Sequence, residues 1–247
     1  MADGESIKAD LHIHSDASHD CNEPIELILE HAADIDIDAI AITDHDSIEN
    51  SLKATEKASE YGLIGIPGVE VSTADGHLLA LGVQECPEKG RPFHETVEKI
   101  RELGGLAVVP HPFQRTRHGV KKSDIKDCDA VEVYNSWSFT GWKNKKARKF
   151  AKKNNYPEIA ASDAHSIGMI GQAYTEINTA FAEEEFEAED VLAAIETGSN
   201  YMYGKRKPVA LSLWDYGKAL TKKTVWLLKE TVLLPLGIKK YFNRWLD

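Results

Sequence analysis

The segment DLHIHS places Asp10, His12 and His14 at steps of two. On a strand such residues project from one face, because successive side chains alternate. Two imidazoles held side by side suit a transition metal, although HxH alone equally fits the polar surface of a half-exposed strand. The rest of the chain changes that balance. TDHDS supplies Asp44 and His45, and GVEVS supplies Glu70 in an apolar setting where an unpaired carboxylate is costly. GHLLALG opens its strand with His77, VVPHPF carries His111, ASDAH carries Asp163 and His165, and Asp20 follows the HxH within SHDC. Any one of these also serves as a cap, a turn residue or a core histidine; Asp44 and Ser47 could simply start the helix that follows. As a cluster they would repel and desolvate one another at high cost without a cation. Imidazole and carboxylate donors without thiolates favour zinc, manganese or iron.

Each of these residues ends or opens an apolar run that reads as a strand. The runs cover residues 7–13, 39–43, 63–69, 77–83, 106–109, 130–134 and 159–162. Helical patterns over 24–33, 47–61 (with Ser47 as N-cap), 93–103 and 140–154 alternate with them. The alternation predicts an α/β protein with a mainly parallel sheet, open or closed into a barrel, whose functional residues gather where strands end.

The chain has 247 residues, 42% hydrophobic and 28% charged, which suits a globular protein with a real core. Its 40 acidic and 29 basic residues give a formal net charge of −11, which argues against a surface that grips nucleic acid all round. Cys21, Cys86 and Cys128 are too few and too scattered for a disulfide framework or a CxxC metal site. MADGESIKAD lacks the apolar core of a signal peptide and no run reaches transmembrane length, so a cytoplasmic setting is expected. A soft boundary near 198–208 separates a first domain, 1–198, from a basic, amphipathic, helical extension over 199–247. The extension is expected to pack on the first domain or on another subunit. Its alternative uses are contact with a membrane surface or RNA through Lys222, Lys223, Lys239, Lys240 and Arg244.

Taken in order, DLHIHS, TDHDS, GVEVS, HPF and SDAH resemble the motifs of the polymerase and histidinol phosphatase (PHP) family of metal-dependent phosphoesterases, over about residues 8–198. The resemblance implies a distorted, TIM-like (β/α)7 barrel with up to three divalent metal ions at the C-terminal ends of its strands. The implied ligands are His12, His14, Asp20, His45, Glu70, His77, His111, Asp163 and His165, with Glu70, and also Asp163, bridging metals. Many members place the first carboxylate one residue earlier, where this chain has His19; the SxD spacing favours Asp20. Asp10 and Asp44 are expected to orient neighbouring imidazoles.

Such a centre acidifies bound water, so the expected reaction is in-line attack of hydroxide on phosphorus. HPFQRTRHG adds Arg115, Arg117 and His118 directly after a ligand, a cationic grip for phosphate unless they are only solvated loop residues. Asn135 and Glu132, on one strand, are expected to face the same mouth. The expected substrate is a small phosphate ester, a nucleotide or a short oligonucleotide. TDHD, GVEVS and SDAH resemble stand-alone members that act on nucleotides. Two other readings remain open: a metal-stabilised binding module recruited by its basic tail, and a metal-dependent hydrolase of C–N or C–O bonds, which would not need Arg115 or Arg117.

Overall fold

The computed structural model describes residues 6–138, 141–178 and 186–205. They belong to one compact unit, Met1–Arg206. Its elements run β1 (Ser6–Ile13), α1 (Ile25–Asp34), β2 (Ala39–Ile42), α2 (Glu49–Ala58), β3 (Ile64–Gly65), β4 (Gly68–Thr73), β5 (Gly76–Leu81), α3 (Phe93–Glu102), β6 (Leu106–Val109), β7 (Ala130–Asn135), α4 (Trp142–Asn154), β8 (Glu158–Ala161), β9 (Ala173–Asn178), α5 (Ala188–Thr197) and β10 (Asn200–Gly204). The result is a mixed α/β fold with two five-stranded sheets, ordered β10-β9-β1-β2-β3 and β4-β5-β6-β7-β8. Isolated bridges at Ile13–Ala164 and His45–Glu70 join the two sheets beside the candidate site.

The local reasons are ordinary. AIAI and LAVV are short continuous apolar runs, as expected of strands covered on both faces. Helix α1 buries Ile25, Ile28, Leu29 and Ala32, one stripe at helical spacing. Where the structure departs from the pattern, a specific residue is responsible. The expected strand over 63–69 is broken at Pro67: Ile66 still donates its amide to Ile40 O (2.9 Å), but proline has none to give, and β4 begins in the other sheet. Helix α2 starts at Glu49 with Ile48, not Ser47, at its N-cap. The delay has a cause in Asp46, whose φ is 52° and whose carboxylate accepts the Ser72 amide (2.7 Å), pinning the chain to β4.

The pairing is less parallel than the alternation predicts. Of the eight described ladders four are parallel and four antiparallel. Only Ala74 and Asp75 separate β4 from β5, far too short a link for a parallel crossover, so those strands form a hairpin. Among the described residues the ladders give two sheets, not one closed ring. The expected strands stop at residue 162, yet β9 and β10, with α5 between them in the chain, complete the first sheet, β10 falling within the stretch expected to start the extension. The remainder of that extension, from residue 206, lies outside the described residues. No described helix is long and apolar enough to cross a membrane.

Gly65 shows how closely sheet and helix meet. A Cβ there would stand 2.6 Å from Thr55 Cα and 2.9 Å from Ala58 Cβ on α2. Gly65→Ala is expected to destabilise by about 1–3 kcal/mol. A thermal melt should read this as a loss of roughly 2–12 °C; an unchanged midpoint would show that α2 yields freely.

Candidate metal centre

Strand ends deliver nearly all the donors. His12 and His14 lie at the end of β1, Asp44 and His45 follow β2, Glu70 sits within β4, His111 follows β6, and Asp163 and His165 follow β8. Strand β5 runs antiparallel to β4 and so presents its start, which brings His77 Nδ1 to 2.8 Å from Glu70 Oε1. His111 and Asp163 both have positive φ, 29° and 55°, a strained conformation for non-glycine residues that surrounding structure must hold in place.

The nine candidate ligands fall into four overlapping groups whose donor atoms lie within 4.8 Å of one another. These are His14, Asp20, His45 and His165; His12, His111 and Asp163; His12, His14 and Glu70; and His45, Glu70 and His77. Glu70 is the hub, with Oε2 3.4, 3.3 and 3.2 Å from His12, His14 and His45, and Oε1 2.9 Å from His111. Asp20 is 3.0 Å from His165, whereas His19 stands outside the four groups with its ring 5.2 Å from that of His45.

Do these residues fit a cation? His12 Nε2 and His14 Nε2 face each other at 3.2 Å, and both approach Glu70 Oε2 and Asp163 Oδ1 at 3.3–3.6 Å. The His12, His14 and Glu70 donors form one triangle with sides of 3.2–3.4 Å, the spacing expected of donors that share one ion with bonds of about 2.0–2.2 Å. Lone-pair donors gathered this closely out of water repel one another unless positive charge sits among them. The residues fit.

A second set of groups fixes the imidazoles. His12 Nδ1 lies 3.2 Å from Glu132 Oε1, and His14 Nδ1 3.0 Å from Ser18 Oγ, which in turn donates to Asp44 Oδ1 at 2.8 Å. His165 Nδ1 meets the Asp163 carbonyl at 2.9 Å. With Nδ1–H donating in each case, Nε2 is left as the lone pair that faces the centre. Asp44 therefore acts on His14 through Ser18. Asp10 touches no imidazole: it accepts the amides of Ser162 and Gly171, both at 2.9 Å, and clamps β1 to the loops after β8. A register shift between Asp10 and Ile13 breaks the strict alternation that would have put Asp10 beside His12.

Glu132 does the work expected of Asp10. Besides His12 it accepts the His111 amide (2.6 Å) and Asn135 Nδ2 (2.9 Å), and Asn135 also donates to Asp163 (2.8 Å). Glu132 and Asn135 are three apart and would point oppositely on a regular strand; a register shift between Glu132 and Tyr134 lets both turn inward. Glu132→Gln is expected to lower metal affinity by about 10–100-fold. Calorimetric titration with Mn²⁺ tests this; unchanged affinity would remove Glu132 from the centre's support.

Electrostatics follow the same design. Burial pushes the Glu70 carboxyl up, but the His12 charge and hydrogen bonds from His111, His12 and His14 outweigh it and hold it well below the usual range. Burial likewise pushes His14 down, yet its bonds to Asp163 and Glu70 raise it to about 9. The carboxylates thus hold positive charge in the centre, and a metal ion would replace protons there.

A cavity of about 910 Å³ opens from the centre, lined in part by His45, His77, His111, Arg115, Arg117 and His118. Arg117 lays both guanidinium nitrogens on the Asp163 carboxylate and stacks over Trp137, with Cζ 5.0 Å from the ring centroid. His118 stacks on His77 at 5.0 Å, and Arg115 lines the outer wall with its side chain exposed. Trp137, 4.9 Å from the His165 ring, and the serines Ser15 and Ser18 on Asp44 had no signal of their own in the sequence.

Comparison with known proteins agrees with this picture. The family model described as PHP-associated, PHP_C, matches residues 141–200. An uncharacterized protein of Methanocaldococcus jannaschii, MJ1587, is 35% identical over 147 residues, 55% of this chain and 85% of that protein. The 5'-3' exoribonuclease Rnm of Escherichia coli is 38% identical over 80 residues, 30% of this chain and 27% of that enzyme. A two-domain protein from Bacteroides vulgatus, containing a PHP-like metal-dependent phosphoesterase, superposes with a TM-score of 0.67 at 17% identity, over 86% of this chain and 70% of that one. Fold and site define an α/β protein built round a cluster of histidines and carboxylates able to hold metal ions. The chain belongs to the PHP family.

Proposed function

We propose that the protein is a metal-dependent phosphoesterase that hydrolyses a phosphate ester of a small molecule or nucleotide. The observation that carries this is the Arg117 guanidinium, laid on Asp163 beside nine clustered metal-ligand candidates, in a cavity walled by four of them, Asp20, His45, His77 and His111. The planar fork of arginine matches two phosphoryl oxygens, a use that C–N or C–O hydrolysis would not require. The two bridged sheets support a distorted (β/α)7 barrel with the site at its mouth.

In this reading the nine candidates would hold up to three divalent ions, zinc, manganese or iron, and Glu70, common to two of the four groups, would serve more than one of them. When bound, these ions acidify a water nucleophile and neutralise phosphoryl charge. The protein's own residues do the rest. Glu132, Ser18 and the Asp163 carbonyl aim three imidazoles by fixing their tautomers. Asn135 steadies Glu132 and Asp163 together. Arg117 orients the phosphoryl group, while His118 and Arg115 line the side from which the ester enters.

The test is phosphate release with Mn²⁺ from an aryl phosphate, histidinol phosphate, mononucleotides and nucleoside 3′,5′-bisphosphates. A His12→Ala, His14→Ala protein serves as control. Turnover that disappears in the control is expected. Silence across the panel, from protein shown to hold metal, would overturn the reading in favour of another bond type.

A further inference from the structure

Helix α4, WKNKKARKFAKKN, carries seven of the 19 Lys and Arg residues that precede residue 199, and no Asp or Glu. It stands in a chain whose formal net charge is −11. Asn144, Ala147, Phe150 and Ala151 face the protein, and every basic residue except Lys143 is exposed. Lys145 and Lys149, Lys149 and Lys153, and Arg148 and Lys152 are like charges at i,i+4, which repel. Lys143, Lys145 and Lys146 also crowd the N-terminal turns, where the helix dipole favours negative charge. Arg148, 3.4 Å from Glu158, is the one basic residue of the helix in an ion pair among those described. The field is uniform in sign and is relieved by no acidic residue of the helix itself.

The head of this helix leans on the metal centre. Asn144 Nδ2 donates to the Asn135 carbonyl (2.9 Å), and Asn135 in turn holds Asp163. Lys146 Nζ lies 4.5 Å over the Phe113 ring, two residues after His111. At the same end Trp142 is 60% exposed, with Lys143 Nζ 5.0 Å and Lys146 Nζ 5.8 Å from its ring centroid. From there the helix runs about 20 Å away from the site.

We propose that α4 is a track for single-stranded nucleic acid. The phosphodiester backbone follows its lysine face, a base stacks on Trp142, and the strand end reaches the metal centre. Delivery to the centre rests on the phosphoesterase reading; binding to the helix does not. A basic face with an aromatic platform is what single strands recognise. An anionic membrane fits poorly, because interfacial helices insert an apolar face, and Ala147, Phe150 and Ala151 of α4 are buried against the protein.

The experiment is anisotropy of a labelled 12-nucleotide RNA against the full-length protein across a salt series. Substituting Lys145, Lys149, Lys152 and Lys153 by Gln should flatten the slope of log K against log salt by about 3. It should weaken binding at least tenfold, with circular dichroism unchanged. Trp142→Ala, which keeps all the charges, should weaken binding by on the order of tenfold at unchanged slope. A third protein with Lys222, Lys223, Lys239 and Lys240 changed to Gln should bind as wild type does. If the α4 variant keeps the wild-type slope, or the tail variant alone abolishes binding, the proposal is overturned. Aryl phosphate turnover by the wild type, measured in parallel, reports separately on the phosphoesterase reading.

Discussion

Glu70→Gln should reduce Mn²⁺-dependent phosphate release to background and abolish the thermal shift that metal gives the wild type. Gln keeps the shape of the side chain and removes its charge, so the effect isolates electrostatics. Among the described residues Glu70 alone lies within 3.4 Å of His12, His14, His45, His77 and His111. Losing it therefore takes a donor from two of the four groups and a close neighbour from His12, His14, His45 and His111 in the other two, where loss of His165 would touch one group. A ligand that binds only the folded protein, at a hundred times its Kd, stabilises by about 2.7 kcal/mol. For a domain of this size that corresponds to a Tm rise of roughly 5–11 °C. The wild type should show it with Mn²⁺ and the variant should not. The variant should also melt lower without metal, because His12 and His14 would keep buried positive charge with Asp163 and Glu132 alone to balance it. A variant that still shifts by several degrees and still turns over would remove Glu70 from the hub.

Much of this centre was legible in the sequence because a parallel strand ends where its loop begins. His12, His45, Glu70, His111, Asp163 and His165 each mark an apolar run, and their residue types share one chemistry. What stayed hidden depended on departures from regular geometry. The bulge before Ile13 moved Asp10 away from the imidazoles, and it is the bulge after Glu132 that lets Asn135, three residues on, share its face. No spacing rule anticipates a bulge, since it changes the face of a residue without changing its neighbours in the chain. Pro67 was visible as a letter, but that the chain changes sheets there is a tertiary fact. The serines that hold Asp44 were silent for another reason: a hydroxyl acquires its role from what folds against it, and Ser15 and Ser18 meet Asp44 from 29 and 26 residues away.

The same distinction separates the two arginines, which the sequence offered as equals. Arg117 is only 21% exposed, is held by Asp163 and Trp137, and stands beside the centre. Arg115, two residues earlier, is exposed at the outer wall of the cavity. Arg117→Ala should lower kcat/KM for an aryl phosphate by about 10²–10³-fold, the usual loss when one fixed charge-stabilising donor is removed. Arg115→Ala should cost less than tenfold. Arg117→Lys should recover little, because an ammonium cannot span two oxygens or stack flat on an indole. Loss of activity through loss of metal would look similar in a rate assay, and the ion pair provides the means to tell them apart. Arg117 draws on the Asp163 carboxylate and helps hold it well below its usual range, against the pull of burial. Without the guanidinium, Asp163 has its full charge free for a cation. The Mn²⁺-induced thermal shift of Arg117→Ala should therefore equal or exceed that of the wild type while turnover collapses. A variant that loses both together would make Arg117 a structural prop of the metal centre; one that keeps its rate within threefold would end its assignment to the phosphoryl group.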